Sequence, residues 1–135
     1  MISIVYQQNA ATWSTAGKHR AGATLVASKY AVTCAHCVRN EKDGSPIDPK
    51  HFKIILGDHD ITRTGEGTLG EKTTLISRIH IHPDWKYDTW WENDICLLEL
   101  AEEIDLTTYT PACMAKVSGF VFCCESNPIS QLVVC

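Results

Sequence analysis

The sequence has no cluster of basic residues. Its 135 residues carry 16 Asp and Glu against 12 Lys and Arg, for a formal net charge of −4. A protein that binds nucleic acid needs a positively charged surface that neutralises phosphates. We therefore expect no nucleic-acid partner.

Long apolar runs are also missing. A membrane-spanning helix needs roughly 18 or more consecutive apolar residues, and no stretch approaches that length. The segment Met1 to Tyr6 has neither the basic start nor the full apolar stretch of an export signal. We expect no membrane partner and no signal peptide within this chain.

The composition is that of a globular protein with many cysteines. With 44% hydrophobic and 21% charged residues, 135 residues are enough for one domain with its own core. Seven cysteines favour an oxidising, extracellular compartment, and their odd number leaves at least one thiol unpaired within the chain. This preference disagrees with the lack of an export signal, and a missing N-terminal segment would reconcile the two.

Short strand-like runs dominate, and long periodic helices are not evident. The run from Leu75 to His82 partly alternates apolar with polar residues, as a strand with one packed face does. Thr15 to Lys18 is typical of a hairpin connection. The sequence predicts an all-β fold, a six-stranded antiparallel barrel, with strands at Asn9–Ser14, Ala23–Ala27, Tyr30–Thr33, Phe52–Leu56, Thr74–His82 and Ile95–Leu100.

The character of the chain changes after Cys113. Residues 117–135 contain two apolar runs and end on Cys135. We predict that residues 1–116 form the barrel. Residues 117–135 are predicted to be a divergent, irregular tail and not a domain.

Two short motifs carry the chemistry. His36 follows an apolar run within Val32-Thr33-Cys34-Ala35-His36-Cys37, and Asp94 opens the apolar run to Leu100. A serine hydroxyl becomes nucleophilic when an imidazole takes its proton, and a buried carboxylate fixes the tautomer of that imidazole. Each motif alone is weak, because a histidine beside a strand is usually structural and Asn-Asp is usually a turn. No Gly-x-Ser-x-Gly-like loop follows either motif, so the nucleophile is not found.

Four motifs in order resemble the trypsin-like (chymotrypsin-family) serine endopeptidases, specifically their N-terminal barrel, over roughly residues 9–115. The ordered matches are far more specific than any single motif. They are Gly22 to Val38 around the histidine, Leu56-Gly57-Asp58-His59-Asp60, Ile81-His82-Pro83-Asp84-Trp85, and Asn93-Asp94-Ile95 with Leu97-Leu98-Glu99-Leu100.

The resemblance implies a Greek-key barrel, the first half of a double barrel. It implies that His36 is the general base and that Asp94 is the carboxylate that orients it. It also implies a secreted serine endopeptidase that acts on protein or peptide substrates and requires no cofactor. The specificity pocket belongs to the other barrel, so the resemblance implies no preference for Lys or Arg.

The chain departs from the family in its nucleophile and its activation terminus. The family carries its serine in a Gly-Asp-Ser-Gly-Gly loop, and Ser118 has no second glycine or oxyanion-hole amides around it. Ile4-Val5-Tyr6-Gln7 does not match the Ile-Val-Gly-Gly terminus. We expect the chain alone to be inactive, with a second barrel or a propeptide as its missing partners.

The cysteines near His36 also depart from the family. Ala21-Gly22-Ala23 replaces a Cys-Gly-Gly motif, so Cys37 lacks its usual disulfide partner, and Cys34 stands where alanine is expected. Cys34 and Cys37 either bridge each other, pair elsewhere or remain reduced. Cys113 resembles the cysteine that tethers many members to a propeptide.

A calcium loop is a further property that the resemblance suggests. Asp58, Glu66 and Glu71 fall in the region where many family members bind the ion, and carboxylates are suitable ligands. A solvated acidic loop is the alternative that we favour for this segment.

Three rival functions remain as hypotheses. A non-catalytic homologue would keep the cleft as a protein-binding module. A Cys-x-x-Cys thiol-disulfide oxidoreductase would need a βαβ context and a long helix after Cys37, which the polar run to Pro46 breaks. A zinc site at Cys34, His36 and Cys37 with the His80-x-His82 pair lacks a second Cys-x-x-Cys to complete its ligand set.

Overall fold

Six strands form the framework of the structure. The computed structural model describes residues 2–7, 18–57, 70–89 and 91–114. Two 3₁₀ turns, His36–Val38 and Pro49–His51, lie between the third and fourth strands. The strands are β1 (Ile2–Tyr6), β2 (Lys18–Ala27), β3 (Tyr30–Thr33), β4 (Phe52–Leu56), β5 (Lys72–Ile81) and β6 (Cys96–Leu100).

The strands close into an antiparallel barrel in the order β1-β2-β3-β6-β5-β4. Closure comes from β1, which pairs with β2 through Ile2 and Ala23 and with β4 through Ile2 and Leu56. A closed barrel leaves no unpaired sheet edge along these strands. The predicted six-stranded antiparallel β-barrel is confirmed.

Alternating burial explains why these segments form the barrel. In β4, Phe52, Ile54 and Leu56 are buried while the residues between them are partly exposed. In β6 the residues between Cys96 and Leu100 follow the same pattern. Successive side chains of a strand point to opposite faces, so the buried set fills the barrel interior.

The first strand is where the sequence-based prediction was incomplete. The barrel begins with β1 at Ile2–Tyr6, a segment for which the sequence analysis predicted no strand. The predicted strand Asn9–Ser14 and residues 15–17 of the predicted hairpin lie outside the described residues. Ile2, Ser3 and Ile4 are all buried, so β1 lacks the simple alternation that marks a strand with one wet face.

The other five strands lie where they were predicted, but β2 begins five residues earlier than expected. The predicted bounds of β3 and β4 match the structure, whereas β2 begins at Lys18 and β5 begins at Lys72.

No helix in the described part of the chain is long and apolar enough to cross a membrane. Residues 115–135 lie outside the described residues, so the irregular tail stays a prediction.

Candidate active site

The register of two strands brings the distant motifs together. In the antiparallel pair of β3 and β6, Thr33 lies opposite Cys96. His36 follows Thr33 by three residues, and Asp94 precedes Cys96 by two. Antiparallel pairing places the end of one strand beside the start of the other. Side chains 58 residues apart in sequence therefore meet at one end of the barrel.

The 3₁₀ turn that carries His36 is anchored in the core. Ala35 is fully buried and Val38 is 1% exposed. The backbone N–H of Val38 donates to the carbonyl oxygen of Ala35 at 3.2 Å. The apolar residues on both sides of His36 thus fix the turn, while the His36 side chain itself is 42% exposed.

Asp94 binds His36 at two points. Its Oδ1 accepts the backbone N–H of His36 at 2.9 Å, and its Oδ2 lies 2.6 Å from His36 Nδ1. An ionised carboxylate only accepts hydrogen bonds, so Nδ1 carries the proton in this contact. The neutral imidazole then has its lone pair on Nε2, where a general base needs it. The Asp94 side chain is 19% exposed, which limits competition from water.

A tight turn sets the position of Asp94. Asn93 has a φ of 53°, in the left-handed region, and its carbonyl oxygen accepts the N–H of Ile95 at 2.7 Å. Asparagine adopts this conformation more readily than any residue except glycine. The Asn-Asp pair that looked like an ordinary turn is therefore what directs the carboxylate toward His36.

Arg20 is a positioning residue that the sequence did not reveal. From β2, its guanidinium donates to the carbonyl oxygen of Cys37 and, at 2.8 Å, to that of Arg39. It also lies 3.5 Å from a carboxylate oxygen of Glu41 and over the ring of Tyr6. Charge-assisted bonds from a planar fork hold backbone strongly. An arginine in a strand gives no sequence signal that it reaches a turn 17 residues away.

Two sulfur atoms lie on the other side of the His36 ring. Cys34 and Cys37 form a disulfide across the turn, with their Cα atoms 5.5 Å apart. This settles the pairing that the sequence left open. Cys37 Sγ is 3.3 Å and Cys34 Sγ 3.9 Å from Nε2. The nitrogen that would take up a proton therefore has sulfur as its immediate neighbour.

Cys96 lies beneath the site as a buried thiol. It is 2% exposed, and its Sγ is 3.6 Å from the carbonyl oxygen of Cys34. Burial, and then the negative charge of Asp94, raises the pKa of Cys96 to about 12. A thiol that stays protonated is a poor nucleophile. Cys96 therefore acts as a small core residue.

A cleft opens beside His36. One wall is the polar loop that follows the 3₁₀ turn, and the other is the segment that follows β5. Tyr87 joins the walls, since its hydroxyl donates to the carbonyl oxygen of Glu41 at 2.7 Å. Gly44 packs so closely on Tyr87 that an added Cβ would lie 2.6 Å from the ring. The cleft is lined by His36, Arg39, Asn40, Glu41, Trp85, Tyr87 and Asp88.

The remaining predicted sites are only partly visible. Cys113 is an exposed free thiol, and its link to a propeptide stays a prediction. Of the suggested calcium ligands, Asp58 and Glu66 lie outside the described residues, so Glu71 alone is placed. His80 contacts Glu99 at 3.4 Å, and His82 Nδ1 accepts the N–H of Asp84.

With this geometry established, comparison with known proteins identifies the family. The Trypsin family model matches residues 2–120. The chain belongs to the trypsin family of serine proteases. This confirms the family resemblance that the four motifs predicted, and it extends the match to include β1.

Curated relatives agree with the family match and cover the same part of the chain. Human chymotrypsin-like elastase family member 1 is 30% identical over 109 residues, covering 80% of this chain and 36% of that protein. The Macaca fascicularis protein of the same name is 29% identical over 109 residues, with 80% and 37% covered. Human mannan-binding lectin serine protease 1 is 34% identical over 111 residues, with 74% and 15% covered. The chain thus spans little more than a third of these relatives at most.

Proposed function

We propose that this chain supplies the general base and its orienting carboxylate to a serine endopeptidase. The contact that carries this proposal is the double hydrogen bond from Asp94 to the ring and backbone of His36. A carboxylate bound in this way fixes both the ring orientation and the tautomer, the two properties that a base in acyl transfer requires.

In the proposed reaction, His36 Nε2 takes the proton of a serine hydroxyl supplied by a second barrel. The serine oxygen attacks the carbonyl carbon of the scissile peptide bond, and His36 becomes an imidazolium stabilised by Asp94. His36 then gives the proton to the leaving amine as the C–N bond breaks, which leaves the acyl group on the serine oxygen. Water loses a proton to His36 and attacks this ester, the bond between the acyl carbon and the serine oxygen breaks, and His36 returns the proton to the serine.

The cleft beside His36 is the proposed contact surface for the peptide substrate. Trp85 and Tyr87 offer apolar area, while Glu41 and Asp88 add negative charge at its rim. Aromatic side chains with a few polar neighbours are common in binding sites. We infer contact with a peptide segment here, whereas selection of the residue before the scissile bond belongs to the second barrel.

We also propose that the 135-residue chain alone does not hydrolyse peptides. Its sequence contains no Gly-Asp-Ser-Gly-Gly loop, and a base without nucleophile and oxyanion hole gives little rate enhancement. The test is turnover of a chromogenic peptide by the purified chain, with His36→Ala as the control. We expect no turnover above background. Turnover that the His36→Ala variant loses would contradict this part of the proposal.

The coding sequence beyond codon 116 tests the parent activity. The proposal expects an in-frame Gly-Asp-Ser-Gly-Gly motif in the transcript or the genome. Its absence would favour the second candidate function, a non-catalytic homologue that uses the cleft to bind protein. The observation that favours this candidate is the Cys37 sulfur at 3.3 Å from His36 Nε2, where the serine hydroxyl has to approach.

The thiol-disulfide oxidoreductase hypothesis has less support than the endopeptidase proposal. Cys37 of the disulfide lies inside the three-residue 3₁₀ turn His36–Val38, and Arg39 after it is extended, in place of the long helix that activates such a thiol. Insulin reduction with dithiothreitol separates the cases. We expect the same rate for the chain and for a Cys34→Ser, Cys37→Ser variant, and a faster rate for the unmodified chain would revive the hypothesis.

We propose an extracellular location, which the disulfide and the cysteine content support. Mass spectrometry of the alkylated protein from its natural source should find Cys34 and Cys37 linked.

We also propose a calcium loop that includes Glu71. It predicts a higher Tm in millimolar calcium and no such gain in Glu71→Gln.

A further inference from the structure

Three metal-binding atoms converge at the turn that carries His36. The Sγ atoms of Cys34 and Cys37 and the Nε2 atom of His36 all lie within 4.8 Å of one another. Among the residues that the structure describes, this is the one group of three or more Cys, His, Asp or Glu side chains to converge in this way. The two sulfurs are bonded to each other here, so metal binding requires that the disulfide first be reduced.

We propose that reduction of the Cys34–Cys37 disulfide converts this turn into a zinc-type metal site. Its ligands are the two thiolates and His36 Nε2, with one coordination position left for water. A dithiol reductant gives two electrons, so the bond between the sulfurs breaks, each sulfur takes a proton, and the reductant closes to its own disulfide. Zn²⁺ then displaces both protons, because the thiolate is the ligand form.

The distances suit this donor set. In a tetrahedral site, Zn–S bonds of about 2.3 Å and a Zn–N bond of about 2.0 Å put sulfur and nitrogen roughly 3.5 Å apart. The present distances from Nε2, 3.3 Å to Cys37 Sγ and 3.9 Å to Cys34 Sγ, lie on either side of that value. The imidazole is therefore already in range, and the main adjustment is separation of the sulfurs.

Asp94 prepares the imidazole for metal as well as for a proton. A metal-bound histidine usually donates its other ring N–H to a carboxylate, which fixes the ring and raises its basicity. Asp94 Oδ2 makes this contact with Nδ1 at 2.6 Å and leaves Nε2 for the ion. Two sulfurs, one imidazole and one water form a known type of zinc site whose fourth position exchanges. The sequence-based objection, a missing fourth ligand, applies to closed structural sites and not to this type.

Metal at Nε2 would occupy the lone pair that the proposed mechanism needs. The site would thus connect the redox state of the turn to loss of the general base. The inference rests on the position of the imidazole, and it can be tested on this chain without peptide hydrolysis. Failure to bind metal would leave the endopeptidase proposal intact, and failure of that proposal would leave the metal site intact.

The test uses Co²⁺ as the probe, because thiolate ligation to cobalt gives strong ultraviolet charge-transfer absorption. The full chain is reduced anaerobically with a phosphine, which competes for metal less than a dithiol does. We expect about one equivalent of Co²⁺ to bind at this site with charge-transfer bands, and Zn²⁺ to displace it. The oxidised chain should not show these bands at this site.

Three variants and one control separate this site from the other thiols. Cys34→Ser with Cys37→Ser should remove the bands, while the matched control, Cys123→Ser with Cys124→Ser, should keep them. His36→Ala and Asp94→Asn leave both thiols in place. We expect Asp94→Asn, which removes the partner of the imidazole, to weaken zinc binding about 10- to 100-fold, and His36→Ala, which removes a ligand, to weaken it at least as much. Equal cobalt spectra for the reduced wild-type chain and the Cys34/Cys37 variant would overturn the proposal, and so would unchanged zinc affinity in His36→Ala.

Discussion

The two nitrogen atoms of the His36 ring differ in the residues that surround them. On the Nδ1 side, Asp94 is positioned by the register of β3 and β6 and by the core beneath them. On the Nε2 side, the neighbours are two cysteines within the same turn. The first arrangement depends on contacts between residues 58 positions apart, whereas the second depends on local sequence. The fold therefore specifies the contact of Asp94 with Nδ1, while the neighbours of Nε2 depend on two local residues.

Removing core volume from β6, the strand that begins beside Asp94, should cause the largest loss of stability. Leu98 is fully buried in β6 and pairs with Ala31 of β3. We expect Leu98→Ala to lower the free energy of unfolding by about 2–5 kcal/mol, because it leaves a cavity between the strands that position Asp94. Urea denaturation measures this. Leu75→Ala, at a side chain 47% exposed, is the control and should cost far less. Equal losses of unfolding free energy in the two variants would contradict a stabilising role for the buried Leu98 side chain.

Arg20→Met should have the next largest effect, because it removes the link between β2 and the turn. The Arg20 side chain is 18% exposed, and its two carbonyl contacts hold the backbone after His36. We expect a loss of about 1.5–3 kcal/mol in the free energy of unfolding, the usual value for a hydrogen bond to a charged group. Arg20→Lys, which keeps the charge but not the planar fork, should recover only part of it. Full recovery by lysine would mean that charge alone matters.

Removing the disulfide tests whether the contact at Nδ1 depends on the sulfur atoms beside Nε2. We expect Cys34→Ala with Cys37→Ala to cost about 2 kcal/mol of unfolding free energy, because the bridge closes only a short loop. The contact between Asp94 and the His36 ring should survive, since none of its atoms belongs to the disulfide. Denaturation gives the stability, and NMR of the His36 ring gives the contact. Loss of the contact between Asp94 and His36 Nδ1 in this variant would show that it depends on the disulfide.

The smallest effect at neutral pH is expected from the thiol of Cys96. Burial raises its pKa from 9.0 to about 12, so the folded state keeps the proton that the unfolded state loses above pH 9. The stabilising contribution is complete below pH 9 and decreases as the pH rises toward 12. Unfolding measured at pH 8 and pH 10.5 should show a steeper loss for the wild-type chain than for Cys96→Ala. Parallel losses would contradict the raised pKa.

Much of the fold was predictable, because burial alternates clearly in several strands. The bounds of β3 and β4 followed directly from their residue patterns, whereas β1 did not, since Ile2, Ser3 and Ile4 are all buried. Its role depends on pairing with β4, about 50 residues later. A short segment with a distant partner carries no local signal of that pairing.

The candidate site was predictable in its main residues but not in its supporting contacts. Ordered family motifs pointed to His36 and Asp94 and implied their catalytic roles, which remain a proposal. The hydrogen bond from Arg20 to the backbone after His36 depends on how β2 lies against the 3₁₀ turn. The pairing of Cys34 with Cys37 depends on the conformation of that turn. Sequence spacing left the cysteine pairing open, because a Cys-x-x-Cys motif fits a disulfide, free thiols or a metal site equally well.

The most direct test of the central claim is the protonation of the His36 ring in solution. Nitrogen-15 NMR of the neutral His36 ring should show a proton on Nδ1, in a low-field hydrogen bond that disappears in Asp94→Asn. The assignment would be secured by the loss of the same signals in His36→Ala. A neutral ring with its proton on Nε2, or a spectrum that Asp94→Asn leaves unchanged, would contradict the account.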